Sequence, residues 1–346
     1  MSGLFRRIAN GAGLGVLGLF LLAMGSWGTL LIAYAGLRNE IIRGALILGF
    51  CVAIIGAVMA LFVPRWRRLG MGVLAALWGG LIVLWTSLEP TNDRDWHTEV
   101  ALLPYATISA DQVTVHNIRN FDYRSEDDYT VGYYDKTFDL RRLQSVDIVT
   151  SYWMGPAIAH VFVSFGFEDD SYLAISIEVR KPKGEVYSTL KGFFRQYELI
   201  YVAADERDVI RLRTNYRRNP PEQVYIYRTK ASNEAGRRLF MEYMNRLNAL
   251  RTKPEFYNTL TTNCTTVIWM NDHVNPSRVP LNWKIVVSGY APEYLYQEGR
   301  LEDMGLSFAE LQRRDYVNDR ARAADSAANF STRIRAWGEG QAESPN

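Results

Sequence analysis

Residues 159–180 read AHVFVSFGFEDDSYLAISIEVR, in which apolar residues recur at every second position on either side of a polar turn. Apolar residues occupy the odd positions from Val161 to Phe167 and from Leu173 to Val179, and the polar turn 168–171 separates the two runs. Alternation with a period of two is typical of β-strands that bury one face. The stretch therefore predicts a β-hairpin with one apolar face and one mixed face.

The mixed face of this predicted hairpin carries the first candidate site residues, which are His160, Ser176, Glu178 and Arg180. They lie on one side of the hairpin if odd positions pair with odd positions across the turn. Such a face could orient the His160 imidazole as a general base, with Glu178 as the orienting group. For Glu178 and Arg180 alone, a solvated outer face is the simpler interpretation.

A second candidate is the thiol of Cys264, within the sequence TTNCTT at 261–266. A helix is expected to begin near this residue, with Asn263 or Thr262 as its cap. Amide N–H groups and the helix dipole favour a thiolate, so we expect a pKa below about 8.5. A buried core cysteine is the alternative. If the thiol is a nucleophile, the N–H groups of Cys264 and Thr265 form the oxyanion hole, and His160 should lie within hydrogen-bond reach.

The N-terminal quarter of the chain is apolar and predicts three membrane-spanning helices. Uncharged runs cover Gly11–Leu37, Gly44–Pro64 and Leu69–Leu88, with 27, 21 and 20 residues. About 20 apolar residues cross a bilayer core. Cys51 lies within the second run and is expected to be inert. Since the runs contain no ionisable residue, a transporter is not expected.

Positive charge predicts the orientation of these spans. Five arginines precede the first span or separate the second from the third, whereas the other loop contains two arginines and one glutamate. By the positive-inside rule, the N-terminus is cytoplasmic and the chain beyond Leu88 lies outside the inner membrane of a bacterium. Residues 1–87 have a net charge of +6 and the remainder −4, which does not favour nucleic-acid binding.

The predicted organisation is an anchor at 1–88, an external α+β domain at 89–305, and an exposed helix followed by a disordered tail at 306–346. Tyr187–Tyr201 is expected to form a helix, and so is the segment that follows Ser232. His97 and His116 have no further candidate ligand at metal-like spacing, so neither a metal nor a cofactor is expected.

Several segments resemble the Lnb-type N-terminal periplasmic domain family of bacterial membrane proteins. These segments are NIRNFDYRS at 117–125, SYW at 151–153, AHVFVSFGF at 159–167, SIEVR at 176–180, ADERD at 204–208, TNY at 214–216 and FYNTLTTNCT at 256–265. The order of histidine before cysteine also resembles the permuted papain-like fold of the lecithin retinol acyltransferase group. The resemblance implies such a fold, with an antiparallel sheet and the cysteine at the start of a helix.

The resemblance also implies a thiol-dependent enzyme, because some members of the family are associated with acyl transfer onto lipoproteins. Cys264 is then the nucleophile, a membrane phospholipid the acyl donor, and an amine such as a lipoprotein N-terminus the acceptor. Two alternatives stay open, a cysteine peptidase or amidase acting on cell-wall peptide and a non-enzymatic membrane scaffold. Beside the catalytic group, the expected substrate-binding residues are Asn263, Thr265, Ser176, Arg180, Tyr152 and Trp153.

Overall fold

The computed structural model describes residues 2–35 and 39–336, which divide into two compact units. The first unit contains the chain up to Pro90 together with Tyr187–Gln196. The second contains the rest of the described chain. The predicted disordered tail at 338–346 lies outside the described residues.

The first unit is helical. Its helices are α1 (Ser2–Tyr34), α2 (Glu40–Phe62), α3 (Arg67–Ser87) and α4 (Thr189–Phe193). Asn39 caps α2 by accepting the N–H groups of Ile41 and Ile42. Helices α2 and α3 are long and apolar enough to cross a membrane, and most of their side chains face outward.

Two membrane-spanning candidates, rather than the predicted three, meet the criteria of length and composition within the described residues. For α1 the apolar helix found among the described residues is the shorter segment Gly18–Tyr34. The end of the first predicted span, at residues 36–37, lies outside the described part of the chain.

The second unit is built on a large mixed sheet. Its strands, with a separate β3–β4 pair, are β1 (Tyr105–Ser109), β2 (Gln112–Arg119), β3 (Asp122–Tyr123), β4 (Tyr129–Thr130), β5 (Tyr133–Asp139), β6 (Leu143–Tyr152), β7 (Ala159–Phe167), β8 (Tyr172–Arg180), β9 (Glu198–Ala204) and β10 (Gln223–Arg228). The strand order is β1-β2-β9-β8-β7-β6-β10, and β5 pairs with β2. The pairs are antiparallel except β2 with β9, so the expected antiparallel sheet is in fact mixed.

The hairpin predicted for residues 159–180 is confirmed as β7 and β8. Val163 pairs with Ile175 and Phe165 with Leu173, which is the predicted odd-to-odd register. Pairing with β8 extends only to Val163 among the described residues, whereas β7 stays paired with β6 as far as Ala159. The strands β7 and β8 therefore part over the first four residues of β7.

The helices of the second unit cover both faces of the sheet. They are α5 (Glu206–Arg211), α6 (Asn233–Thr252), α7 (Cys264–Asn271), α8 (Trp283–Val286), α9 (Ala291–Gln297), α10 (Phe308–Asp315), α11 (Asn318–Ala324) and α12 (Phe330–Arg333). Odd positions of β7 pack with α6 and α7, and its Phe162 packs with α5, α11 and α12. The face expected to be mixed is thus largely buried as well, because a second layer of helices covers it.

Residues 307–336 form three short helices rather than one exposed helix. Val317, Ala321, Phe330 and Ile334 are fully buried in the core that includes Phe162. The guanidinium of Arg335 pairs with the buried carboxylates of Asp147 and Glu206. This segment is therefore part of the domain core, because its apolar residues complete one face of the sheet.

Candidate active site

His160, Ser176 and Glu178 form a hydrogen-bonded chain at the point where β7 and β8 part. The Nε2 atom of His160 lies 2.7 Å from Ser176 Oγ, and Ser176 Oγ lies 2.8 Å from Glu178 Oε1. The His160 side chain is 15% exposed and that of Glu178 is 22% exposed, whereas Ser176 is fully buried. The site is therefore shielded from water but open at one edge.

The direction of these hydrogen bonds determines the tautomer of the imidazole. An ionised Glu178 can only accept, so the single hydroxyl proton of Ser176 is donated to Glu178. Ser176 Oγ must then accept from His160, which places the imidazole proton on Nε2. Within the described residues, His160 Nδ1 has no hydrogen-bond partner. The atom of His160 that carries the free lone pair is therefore Nδ1.

Glu178 is held as a carboxylate by the charges around it. Burial would raise the pKa of Glu178, but Arg213, His160 and Arg119 together hold it well below its usual range. Arg213 Nη2 lies 3.2 Å from Glu178 Oε1 and stacks over the ring of Phe162. The carboxylate therefore stays charged at neutral pH, as the hydrogen-bond directions require.

Arg213 also links the site to a second carboxylate. Its Nε atom forms an ion pair with Glu222 Oε2 at 3.7 Å, and Glu222 accepts hydrogen bonds from Ser151 and from Arg217. Burial and the positive charge of Arg213 lower the pKa of His160 to about 4, so the imidazole is neutral at pH 7. A neutral imidazole is the form that can accept a proton from a thiol.

Cys264 begins α7, as predicted, and Asn263 is its cap. Asn263 Oδ1 accepts from the N–H groups of Thr265 and Thr266, and Thr266 Oγ1 accepts from the N–H of Asn263. Such a capping box fixes the first turn of a helix. The side chain of Thr265 donates to the carbonyl of Ile285. Asn263 and Thr265 therefore hold the segment around Cys264 in place through contacts that are all internal.

The sulfur of Cys264 lies against the free edge of β7. It is 4.0 Å from the carbonyl oxygen of Ala159, and the backbone N–H of Val161 is directed at it. Since β6 occupies the other edge of β7, the sulfur occupies the edge that β8 leaves free. His160 is the residue between these two backbone contacts, so tertiary structure brings the thiol and the histidine to one short segment.

The thiol and the imidazole do not form the direct hydrogen bond that we expected. Among the described residues, no hydrogen bond joins Cys264 Sγ to His160. The reason is the alternation along β7, where Val161 faces the helix layer of α7 while His160 turns to the opposite layer and bonds Ser176. The imidazole therefore turns to the layer opposite α7, although the sulfur contacts the residues on either side of His160.

The environment of Cys264 changes its acidity in the direction opposite to our expectation. Burial raises the pKa of the Cys264 thiol, and the N–H groups of Val161 and Thr265 offset this only in part. The resting residue is therefore a thiol at neutral pH, because loss of solvation exceeds the effect of the helix start. A nucleophilic role would require a base.

The expected oxyanion hole is only half available. The Thr265 N–H is donated to Asn263 Oδ1, whereas the Cys264 N–H is directed at the sulfur of its own residue. The N–H of Val161, which is directed at the sulfur, lies on the same strand edge. The arrangement thus places one amide N–H of the helix and one of β7 beside the thiol.

Three of the expected substrate-binding residues, Arg180, Tyr152 and Trp153, are not part of the hydrogen-bonded chain formed by His160, Ser176 and Glu178. Arg180 donates to the carbonyls of Val100 and Ala101 and lies over the ring of Trp96. The hydroxyl of Tyr152 donates to the carbonyl of Gly289 at 2.7 Å. Trp153 is exposed on the loop between β6 and β7. Arg180 and Tyr152 therefore have structural contacts of their own.

Sequence reasoning missed Arg213, Glu222 and Ser288. Arg213 lies in a short turn after α5, and no local pattern marks such a residue as buried. Ser288 Oγ accepts from the N–H of Ala159, the residue whose carbonyl contacts the Cys264 sulfur. No cluster of three or more metal-ligating side chains is found among the described residues.

Residues 129–289 match the family described as Lnb N-terminal periplasmic domain. The match covers His160, Ser176, Glu178, Arg213 and Cys264, and it ends within the segment that contacts the start of β7. Comparisons with curated proteins and with solved structures give no match. Together with the apolar N-terminal helices, the match indicates a membrane protein with a periplasmic domain.

Proposed function

We propose that this protein is a membrane-anchored acyltransferase that uses Cys264 as its nucleophile and His160 as its base. The observation that carries the proposal is the tautomer set by the hydrogen-bonded chain His160–Ser176–Glu178. This chain places the imidazole proton on Nε2 and leaves Nδ1 without a hydrogen-bond partner among the described residues. A base fixed by a third group is the usual companion of a catalytic thiol.

In the first step of the proposed reaction, Cys264 Sγ attacks the ester carbonyl of a membrane phospholipid. His160 Nδ1 takes the thiol proton, directly or through one water, as the S–C bond forms. The ester C–O bond then breaks, and the leaving alcohol of the lysophospholipid takes the proton from the imidazolium. The product on the enzyme is an acyl thioester.

In the second step an amine attacks the thioester carbonyl. His160 takes a proton from the amine, the C–S bond breaks, and the thiolate recovers that proton to restore the thiol. The acceptor becomes an amide, as acylation of a lipoprotein N-terminus would produce. The backbone N–H of Cys264 would donate to the oxyanion in both steps.

Because the Cys264 pKa is raised and the His160 pKa is lowered, the pair rests as neutral thiol and neutral imidazole. Proton transfer would therefore accompany attack on the substrate. Glu178 would stabilise the imidazolium as it forms, since its oxygen lies 3.7 Å from Nε2. This arrangement would protect a periplasmic thiol from oxidation between turnovers, because the thiolate is the reactive form.

The proposal of a permuted papain-like fold rests on three features of the second unit. Histidine precedes cysteine in the chain, the histidine lies on a sheet strand, and the cysteine begins a helix that packs on that strand. A lipid donor is favoured by the short connection between the membrane helices and the domain. From Ser87 to Thr91 the chain can extend only about 14 Å.

The orientation and location are proposed on the distribution of arginines, which favours a cytoplasmic N-terminus and a catalytic domain on the periplasmic face of the inner membrane. A protease-accessibility experiment on intact and permeabilised cells would check this orientation. Cleavage of the second unit in cells with an intact inner membrane but a permeable outer membrane is the expected result.

The chemistry is tested by the intact mass of the protein purified in membranes that contain diacyl phospholipid. We expect an added mass of one long acyl chain, labile to hydroxylamine, that is absent from Cys264→Ala and present in Cys51→Ala. An adduct of peptide size would support a peptidase or amidase instead. If neither adduct forms when acceptor is withheld, the proposed enzyme function is wrong and a scaffold is favoured.

A further inference from the structure

The second unit contains an apolar cavity of about 340 Å³ between the sheet and the layer of α6, α7 and α9. Its walls include Val146, Ile148, Val163, Leu239, Ile268 and Leu295. The cavity lies on the face of the sheet opposite the His160 network, since odd positions of β7 line it. Ligand cavities of about 300 Å³ or more accommodate small molecules, and the small volume favours a single narrow chain.

The cavity extends to the immediate surroundings of Cys264. Val161 lines it with its side chain, while the N–H of the same residue is directed at the Cys264 sulfur. Thr265, the next residue after the nucleophile, also lines it. One strand residue and one helix residue are therefore shared by the cavity and the thiol environment.

The polar part of the cavity is cationic. Lys230, Arg238 and Arg300 contribute to the lining, whereas Asp272 is the single acidic lining residue and burial raises its pKa. Lys230 pairs with Asp303, and Arg238 bonds Glu234. Arg300 is thus the lining cation that forms no ion pair among the described residues, although the charge of Asp272 interacts with it.

Arg300 is the lining residue whose bonding is incomplete. Its Nε atom is buried and has no hydrogen-bond partner among the described residues. A buried donor without a partner is costly, and in native proteins it often faces a ligand that is missing from the structure. A guanidinium donates best to a carboxylate or phosphate oxygen.

We propose that this cavity binds the acyl chain of an anionic amphiphile, with the carboxylate or phosphate of the ligand bonded to Arg300. The inference rests on the proposed function in one respect. If the protein is an acyltransferase, the acyl donor is an anionic lipid whose acyl chain lies beside Cys264. The binding site itself requires no chemistry at the thiol. Free fatty acid and anionic phospholipid share the required features, namely one apolar chain and one anionic oxygen group.

The experiment measures binding of the fluorescent fatty acid cis-parinaric acid to the full chain in nanodiscs of phosphatidylcholine. It uses the Cys264→Ala background, so that binding is separated from acyl transfer. We expect saturable binding. Ile268→Phe should raise the dissociation constant by about 10-fold because the larger side chain fills the cavity, and Arg300→Gln should raise it by about 10-fold because it removes the positive charge. Arg313→Gln, an exposed arginine on α10, should bind like the parent.

Competition distinguishes the two sources of ligand. Displacement by dodecanoate but not by lysophosphatidylglycerol assigns the site to a free fatty acid, and displacement by lysophosphatidylglycerol assigns it to an anionic phospholipid. Thermal unfolding checks that Ile268→Phe is folded, and Arg300→Gln provides an independent variant at a less buried position. Binding that neither variant weakens, or no saturable binding, would overturn the inference.

The two proposals can fail separately. Binding that depends on Ile268 and Arg300, in a wild-type protein that never forms a thioester, would retain the cavity site and reject the acyltransferase. The cavity site alone would be rejected if the protein did not bind fatty acid and if both cavity variants formed the Cys264 thioester as the wild type does.

Discussion

Removal of the Arg213 charge is expected to raise the pKa of His160. Arg213 Nη2 lies 3.2 Å and His160 Nε2 lies 3.7 Å from the same oxygen of Glu178, so these two nitrogen atoms are at most about 7 Å apart. At that distance two unit positive charges repel each other by ~2 kcal/mol at an effective dielectric constant of ~20. That energy corresponds to ~1.5 pKa units. Burial is the larger cause of the lowered pKa and stays in place in the variant.

We therefore expect the His160 pKa to rise from about 4 to roughly 5.5 in Arg213→Gln, and to stay low in Arg213→Lys, which keeps the charge. The assay is titration of labelled histidine by nuclear magnetic resonance, in which the His160→Ala spectrum identifies the signal among four histidines. Arg313→Gln serves as the control for loss of a distant arginine.

The same change should move the pH dependence of thioester formation. Activity requires neutral His160, so it is lost as the pH falls through the His160 pKa, and this acidic limb should lie higher in Arg213→Gln than in the wild type. An unchanged His160 pKa in a folded Arg213→Gln protein would refute the reasoning. Equal pKa rises in Arg213→Gln and Arg213→Lys would also refute it, because geometry rather than charge would then be the cause.

Three further outcomes follow from the site. In single-turnover assays, His160→Ala should abolish thioester formation, whereas Glu178→Gln should retain a measurable fraction of it. Adding Glu178→Ala to His160→Ala should have little further effect on the rate, because the two residues act as one unit. Full activity in Glu178→Ala would remove Glu178 from the mechanism. The rate at which iodoacetamide alkylates Cys264 should keep rising with pH above the range in which an ordinary thiol ionises, since the pKa of Cys264 is raised. A rate, followed by mass spectrometry, that stops rising below pH 8 would contradict this. Asn263→Ala should lower the free energy of unfolding by about 1–2 kcal/mol through loss of the helix cap, measured by urea denaturation in detergent, whereas an unchanged midpoint would show that the cap contributes little.

Local sequence patterns were sufficient for the elements that carry the candidate site. The apolar residues at every second position of 159–180 determine the hairpin, because a one-residue shift would move all of them to the other face of the sheet. The register of that hairpin then places His160 with Ser176 and Glu178. Asn263 before Cys264 determines the start of α7, since its side chain satisfies N–H groups that the first turn leaves unbonded.

Local patterns failed where the surroundings of a segment decide its structure. Tyr187–Tyr201 was expected to be one helix, yet only Thr189–Phe193 is helical, and Glu198–Ala204 is the buried strand β9 between β2 and β8. A fully buried strand is apolar on both faces and has no period that distinguishes it from a helix. Pairing with neighbouring strands settled the outcome.

The acidities of the site were likewise decided by tertiary structure. The sequence by itself determined which residues could serve as nucleophile and base, because those roles depend on residue type and local capping. It could not determine that burial raises the Cys264 pKa, or that Arg213 reaches Glu178 from 35 positions away in the chain. Desolvation and charge interactions depend on distances through space, and only the folded chain brings these groups together.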